Sequence, residues 1–168
     1  MARLDMKKPK KVKYINIFDV DGVLACSAHR YKTIETKKGL KIDLDHWRNN
    51  EHLSVNDSLL PTTDLYKKLL AFNTHFVIIA TSRILKPLDY DFIEKNIGLP
   101  DAMVSRLHNK QKGHDLKIKG ILRIIEDCNL SHVDFKNITV YEDNIHYLKG
   151  ICDYFQCKGV YIPSKQGH

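Results

Sequence analysis

Apolar residues are gathered along this chain into short blocks separated by polar stretches. From residue 14, YINIF is a β-branched and aromatic run that stops at Asp19 and, three residues later, Gly22. Such a run predicts a buried strand over about 14–19 closed by a turn. Residues 25–60 are polar without a sustained period, which predicts loops with a small hairpin or a short helix near Trp47. Pro61 opens TTDLYKKLLAF, an amphipathic helix with Leu65, Leu69 and Phe72 on one face. HFVIIAT over 75–81 predicts a second buried strand, followed by a helix near 88–96 and a third strand at 103–105. Residues 116–128 carry Ile121, Ile124, Ile125 and Cys128 as a helical stripe. NITVY over 137–141 reads as a fourth strand, 145–155 as a helix and 159–162 as a short last strand.

Strands that alternate with helices and are apolar throughout belong to a parallel sheet covered on both faces. The expected fold is therefore α/β and doubly wound, with one domain over 14–168 and a short insertion at about 25–60. In such sheets ligands bind beyond the carboxyl ends of the strands. Three of the expected strands end in reactive side chains: the first in Asp19-Val20-Asp21-Gly22, the second in Thr81-Ser82-Arg83 and the fourth in Glu142-Asp143. Asp19, Asp21, Glu142 and Asp143, once brought together, would repel one another unless a cation lay among them. An all-oxygen donor set points to Mg²⁺, which keeps several waters and bridges to phosphate.

FDVDGVL over 18–24, a hydrophobic strand ending in Thr81, a lysine ahead of a helix and VYED over 140–143 resemble the four ordered motifs of the haloacid dehalogenase superfamily. The resemblance runs from residue 14 to 162. It implies a Rossmann-like domain, an aspartyl-phosphate intermediate and at most a minimal cap. Carried over residue by residue, it makes Asp19 the nucleophile and Asp21 the acid that protonates the leaving alcohol and later activates water. Thr81 would hydrogen-bond a phosphate oxygen. Asp19, the main-chain carbonyl of Asp21, and Asp143 would hold Mg²⁺, with Glu142 as a further ligand or a supporting group. The third-motif lysine has two candidates. Lys117 is in phase with Ile121, Ile124 and Ile125. Lys119 closes the spacing Asp115-Leu-Lys-Ile-Lys119 that resembles polynucleotide phosphatases of the superfamily, and this fuller match favours it. Arg30 and Arg83 stand where the 3′-phosphatase domain of polynucleotide kinase-phosphatases has arginines. They are expected, with Ser82, to bind substrate phosphate.

Composition narrows the partners. The 168 residues suffice for one core, and the chain is 43% apolar and 28% charged, a globular profile. The longest wholly apolar stretch, 76–80, is far too short to span a bilayer. No apolar run follows the basic start, and Cys26, Cys128, Cys152 and Cys157 have no zinc spacing, so a cytoplasmic protein with reduced thiols is expected. The net charge of +7 is localised: residues 1–13 carry +5, 28–41 carry +4 and 106–119 carry +4, leaving −6 elsewhere. Residues 1–13 are expected to form a flexible basic arm. Three positive clusters suit a phosphorylated nucleic acid or a nucleotide. The expected activity is Mg²⁺-dependent phosphomonoester hydrolysis, foremost of a 3′-phosphate on a nucleic-acid end. The alternatives are a small-molecule nucleotidase and, more remotely, a non-catalytic phosphate-binding protein. No Walker-type glycine loop is present, which excludes a P-loop kinase within this chain.

Overall fold

The computed structural model describes residue 8 and residues 11–164. In chain order the strands are β1 (Tyr14–Phe18), β2 (Ala25–Cys26), β3 (Thr33–Thr36), β4 (Gly39–Ile42), β5 (Ser58–Leu59), β6 (His75–Ala80), β7 (Ala102–Val104), β8 (Ile138–Glu142) and β9 (Lys158–Tyr161). The helices are α1 (Leu44–Asn49), α2 (Thr62–Leu70), α3 (Pro87–Phe92), α4 (Gly113–Asp127) and α5 (Ile145–Phe155). Five strands form one wholly parallel sheet in the order β7-β6-β1-β8-β9. The expected doubly wound α/β architecture is thus present.

The two faces follow from the strand period of two. Ile15 and Ile17 face one side with Phe76, Ile78, Ile138 and Val140, and pack against Leu116, Ile121 and Ile124 of α4 and Ile151 and Phe155 of α5. Phe18, Val77 and Ile79 face the other side with Tyr66 of α2 and Phe92 and Ile93 beyond it. Because the order reverses on either side of β1, the chain leaves β1 at the switch point where such sheets bind ligands.

Three details differ from the sequence reading. Leu65 of α2 and Phe72 just beyond its end are 38% and 49% exposed, and the helix instead buries Thr63 and Tyr66. The Tyr66 ring packs edge-on to Phe18, and its hydroxyl donates to the Gly98 carbonyl at 2.6 Å, so an aromatic with a satisfied polar tip takes the inward place expected of Leu65 and Phe72, while Leu69 stays against the core. Helix α3 is shorter than expected and passes into a π-helical turn over Ile93–Ile97, stopped by Gly98 at φ +97°. Within the basic segment, Lys8 is buried and its ammonium donates to Asp101 Oδ2 at 2.8 Å and to the Leu70 carbonyl at 2.7 Å, while Val12 joins the core. Residues 1–7, 9 and 10 of the expected arm lie outside the described residues.

The insertion contains both expected features. β3 and β4 pair as an antiparallel hairpin, and α1 carries Trp47, with Asp43 capping its first turn. None of the four cysteines is joined in a disulfide. No helix among the described residues is long and apolar enough to cross a membrane.

Candidate active site

Asp19 is the first residue past β1. Its N–H donates to the Tyr141 carbonyl at 3.1 Å, and its carboxylate accepts the Val20 N–H at 2.9 Å, so its main chain is tied to β8 and its side chain to the next peptide. The chain turns at Gly22, whose φ of +79° suits glycine. A Cβ there would stand 2.1 Å from Asp143 Oδ2, so only glycine lets the first and fourth motifs approach.

Asp19, Glu142 and Asp143 are all buried, and each offers an oxygen within 4.8 Å of the others. The described cation among them is Lys117, whose Nζ lies 2.7 Å from Glu142 Oε2 and 3.4 Å from Asp19 Oδ1. Burial opposes the ammonium charge, but the Asp19 and Glu142 carboxylates outweigh it and hold Lys117 above its ordinary value. One lysine does not balance three carboxylates. Burial and the Glu142 charge push Asp19 well above the usual carboxylate range, with Lys117 pulling it back. Burial, reinforced by Asp19, carries Asp143 up to about 7, although Ser164 donates to its Oδ2 at 2.9 Å. An excess of buried negative charge carried by hard oxygens fits a divalent cation of the Mg²⁺ type.

The lysine favoured on spacing is not the one in the site. Lys119 is exposed on α4, whereas Lys117 is 1% exposed and reaches the carboxylates. Hydrophobic phase decided this, because Lys117 shares the inward face with Leu116, Ile121 and Ile124. Tyr147 of α5 lies with its ring 5.6 Å from the Lys117 ammonium, over the helix start where Gly113 leaves room for it.

Asp21 is brought to the same cavity but is held differently. Arg83 donates to it twice, from Nη2 at 2.5 Å and Nε at 3.3 Å, and Arg30 donates from Nη2 at 3.0 Å. Arg30 was expected to clamp phosphate. It is instead 1% exposed, forks onto Asp57 at 2.9 and 3.0 Å, and stacks 4.3 Å from the centre of the Trp47 ring. A guanidinium this enclosed is kept in place by its carboxylate partners. Arg83 does face the cavity, yet it also donates to Asp89 at 2.8 Å. Thr81 is buried, and its hydroxyl accepts the Arg83 N–H at 3.1 Å. Ser82 lines the cavity with its hydroxyl buried and without a hydrogen-bond partner among the described residues. Asp57, Asp89 and Tyr147 were not foreseen. Asp57 sits in the aperiodic insertion, where a single sequence gives no signal.

The cavity encloses about 670 Å³. Asp19, Asp21, Glu142 and Arg83 form its floor, and Leu40, Ile42, Leu44 and Trp47 of the insertion form an apolar wall. The insertion thus borders the site. Lys38, Lys41, Arg48 and Arg106 also line the cavity and make its mouth basic.

The sequence model of the bacteriophage T5 5′-deoxynucleotidase family matches residues 6–112. The chain belongs to that family. The matched segment of this deoxynucleotidase-family chain holds Asp19, Asp21, Arg30, Asp57, Thr81 and Arg83; the fold adds Lys117, Glu142 and Asp143 from beyond it. No protein with a curated description matches the sequence. Among solved structures, a chain of a Pnkp1/Rnl/Hen1 complex is similar at TM-score 0.59 and 15% identity, over 90% of this chain and 46% of that one. The N-terminal part of a Bacteroides fragilis protein, containing a phosphatase domain and complexed with Mg, is similar at TM-score 0.52 and 16% identity, over 94% of this chain and 38% of that one. A HAD family enzyme from Bacteroides thetaiotaomicron, a magnesium complex, is similar at TM-score 0.48 and 14% identity, over 94% of this chain and 96% of that one. The chain spans less than half the length of the first two. The nucleotidase family match and the parallel α/β sheet agree with the phosphatase expected from the motifs.

Proposed function

We propose that the protein is a Mg²⁺-dependent phosphatase that removes the 5′-phosphate of a deoxynucleoside monophosphate through an aspartyl-phosphate on Asp19. The observation that carries this reading is the family match across the segment that supplies Asp19 and Asp21. It favours the nucleotidase alternative over the 3′-phosphate of a nucleic-acid end, which the sequence reading put first. Asp19, Asp143 and Glu142 would hold Mg²⁺, which when bound neutralises phosphate oxygens and the buried carboxylates.

In the first half, an Asp19 oxygen attacks phosphorus, the bond to the leaving oxygen breaks, and Asp21 gives that oxygen its proton. Lys117 offsets the charge of Asp19 and of the transferred group. In the second half, Asp21 takes a proton from water as the water oxygen attacks phosphorus. Inorganic phosphate leaves, and both aspartates return to their starting states.

A second reading keeps the polynucleotide end as substrate. It is favoured by the basic mouth of Lys38, Lys41, Arg48 and Arg106. Phosphate release from deoxynucleoside 5′-monophosphates, their 3′ isomers and 3′-phosphorylated oligonucleotides, each with Mg²⁺ and with chelator, separates the two. Turnover of the 5′-monophosphates with the largest kcat/KM supports the first reading. Preference for the oligonucleotide replaces it with the second.

A further inference from the structure

Beneath the cavity floor lies a buried ionic cluster that the four motifs do not account for. Its centre is Asp57, whose side chain is 1% exposed. Both oxygens of Asp57 accept from the Arg30 fork, Arg83 Nη2 lies 3.6 Å from Oδ2, and His29 Nε2 lies 2.7 Å from Oδ1. The Arg30 Nη2 that meets Asp57 also donates to Asp21 Oδ1, while Arg83 holds the same Asp21 carboxylate from its other side. Arg83 is anchored in turn by Asp89, which accepts from the Ser54 hydroxyl and the Lys86 N–H, both at 2.8 Å. Asp57 and Ser54 both belong to the insertion.

We infer that Asp57 is a positioning residue for proton delivery: it fixes the Arg30 fork, and Arg30 with Arg83 fixes the Asp21 carboxyl against the leaving oxygen. The inference rests on the reading of Asp21 as the group that protonates that oxygen. A guanidinium bonded at Nε and Nη2 by one carboxylate has a single orientation in its plane. Only in that orientation does Nη2 also point at Asp21. Without the Asp57 charge, Arg30 keeps Asp21 as its sole described carboxylate partner, with Nη1 already lacking one. The fork then rotates onto Asp21 and draws it from its position. The Trp47 ring stacked on Arg30 joins this chain to the apolar wall, so the insertion that lines the cavity also sets the acid.

The test compares phenyl phosphate with p-nitrophenyl phosphate, two substrates of nearly one shape. The phenolate leaving group needs a proton much more than the nitrophenolate does. Their kcat/KM values report the steps through release of the leaving group, before water enters. Asp57→Asn should lower kcat/KM for phenyl phosphate about 10- to 100-fold more than for p-nitrophenyl phosphate, as befits displaced general-acid catalysis. Arg30→Lys keeps the charge but cannot bridge both aspartates, and it should give the same discrimination if Asp57→Asn does not fold. Asp21→Asn serves as reference. If Asp21→Asn discriminates between the substrates and the other two variants do not, the positioning role is overturned while the acid reading stands. If Asp21→Asn does not discriminate, the acid reading falls and the inference falls with it.

Discussion

Lys117 and Lys119 show at residue scale how a motif and a period can disagree. Two positions along a helix are about 200° apart, so only one of the pair can face the sheet. Lys117 does, 2.7 Å from Glu142, and Lys119 faces solvent. Lys117→Ala should therefore lower kcat about 10²- to 10³-fold, the loss typical of a removed electrostatic donor. Lys119→Ala should remain within about twofold, as surface changes usually do. Steady-state kinetics on both variants checks this, and the reverse pattern would restore the motif spacing. Asp143 gives a pH prediction for the metal-free protein. Its value in the fold, about 7, lies above the ordinary value, so the protonated form favours the fold. That contribution is present at low pH and is lost as pH rises from about 4 toward about 7. The melting temperature in chelator should fall across this window, and saturating Mg²⁺ should remove most of the fall. A flat or rising profile in chelator would contradict the buried, uncompensated carboxylates.

Among the elements, the strands and the main helices were legible because burial on both faces demands apolar runs and buried helix faces demand a period. β1, β6 and α5 end within a residue of where the pattern put them. The α2 face was misjudged because the pattern counts Leu and Phe as apolar but undervalues a tyrosine whose hydroxyl finds a carbonyl, as Tyr66 does at Gly98. The motif carboxylates and Thr81 were legible because each ends a strand. The partners of Arg30 were not, because Asp57 is 27 residues away in a segment with no period. The hairpin of β3 and β4 is largely exposed and contributes no residue to either core cluster. Replacing it by a short linker should leave the melting temperature within a few degrees. The same change should lower kcat/KM for a deoxynucleoside monophosphate much more than for p-nitrophenyl phosphate, because Leu40 and Ile42 leave the cavity wall. Equal losses on both substrates would mean that the hairpin supports the site rather than the substrate.

Across the whole molecule, the charge distribution matters because the net +7 is not uniform. Lys38, Lys41, Arg48 and Arg106 surround the mouth of a cavity whose floor is acidic. On the nucleotidase reading a mononucleotide is held inside, whereas an oligonucleotide would also cross the basic mouth. Each backbone phosphate contact adds about −0.7 to the slope of log affinity against log salt for a single strand. On the nucleotidase reading, kcat/KM for a deoxynucleoside monophosphate should depend only weakly on salt. Neutralising Lys38, Lys41 and Arg48 together should leave that slope nearly unchanged. A steep slope that the triple substitution flattens, seen with an oligonucleotide of higher kcat/KM, would favour the polynucleotide end instead. On the proposed reading, the Asp19 carboxylate just past β1, placed at the switch point and supported by charges from β8 and α4, carries the phosphoryl group.

That claim is tested most directly by trapping the intermediate. Asp21→Asn should still form the phosphoenzyme from p-nitrophenyl phosphate, whose leaving group scarcely needs a proton, but should hydrolyse it slowly. Acid quenching during turnover with Mg²⁺, followed by peptide mapping in a mass spectrometer, reads where the phosphoryl group sits. The expected result is a Mg²⁺-dependent adduct on the peptide bearing Asp19, absent when Asp19→Asn is added to the same variant. An adduct on another residue, or continued phosphate release from the Asp19→Asn protein, would contradict it.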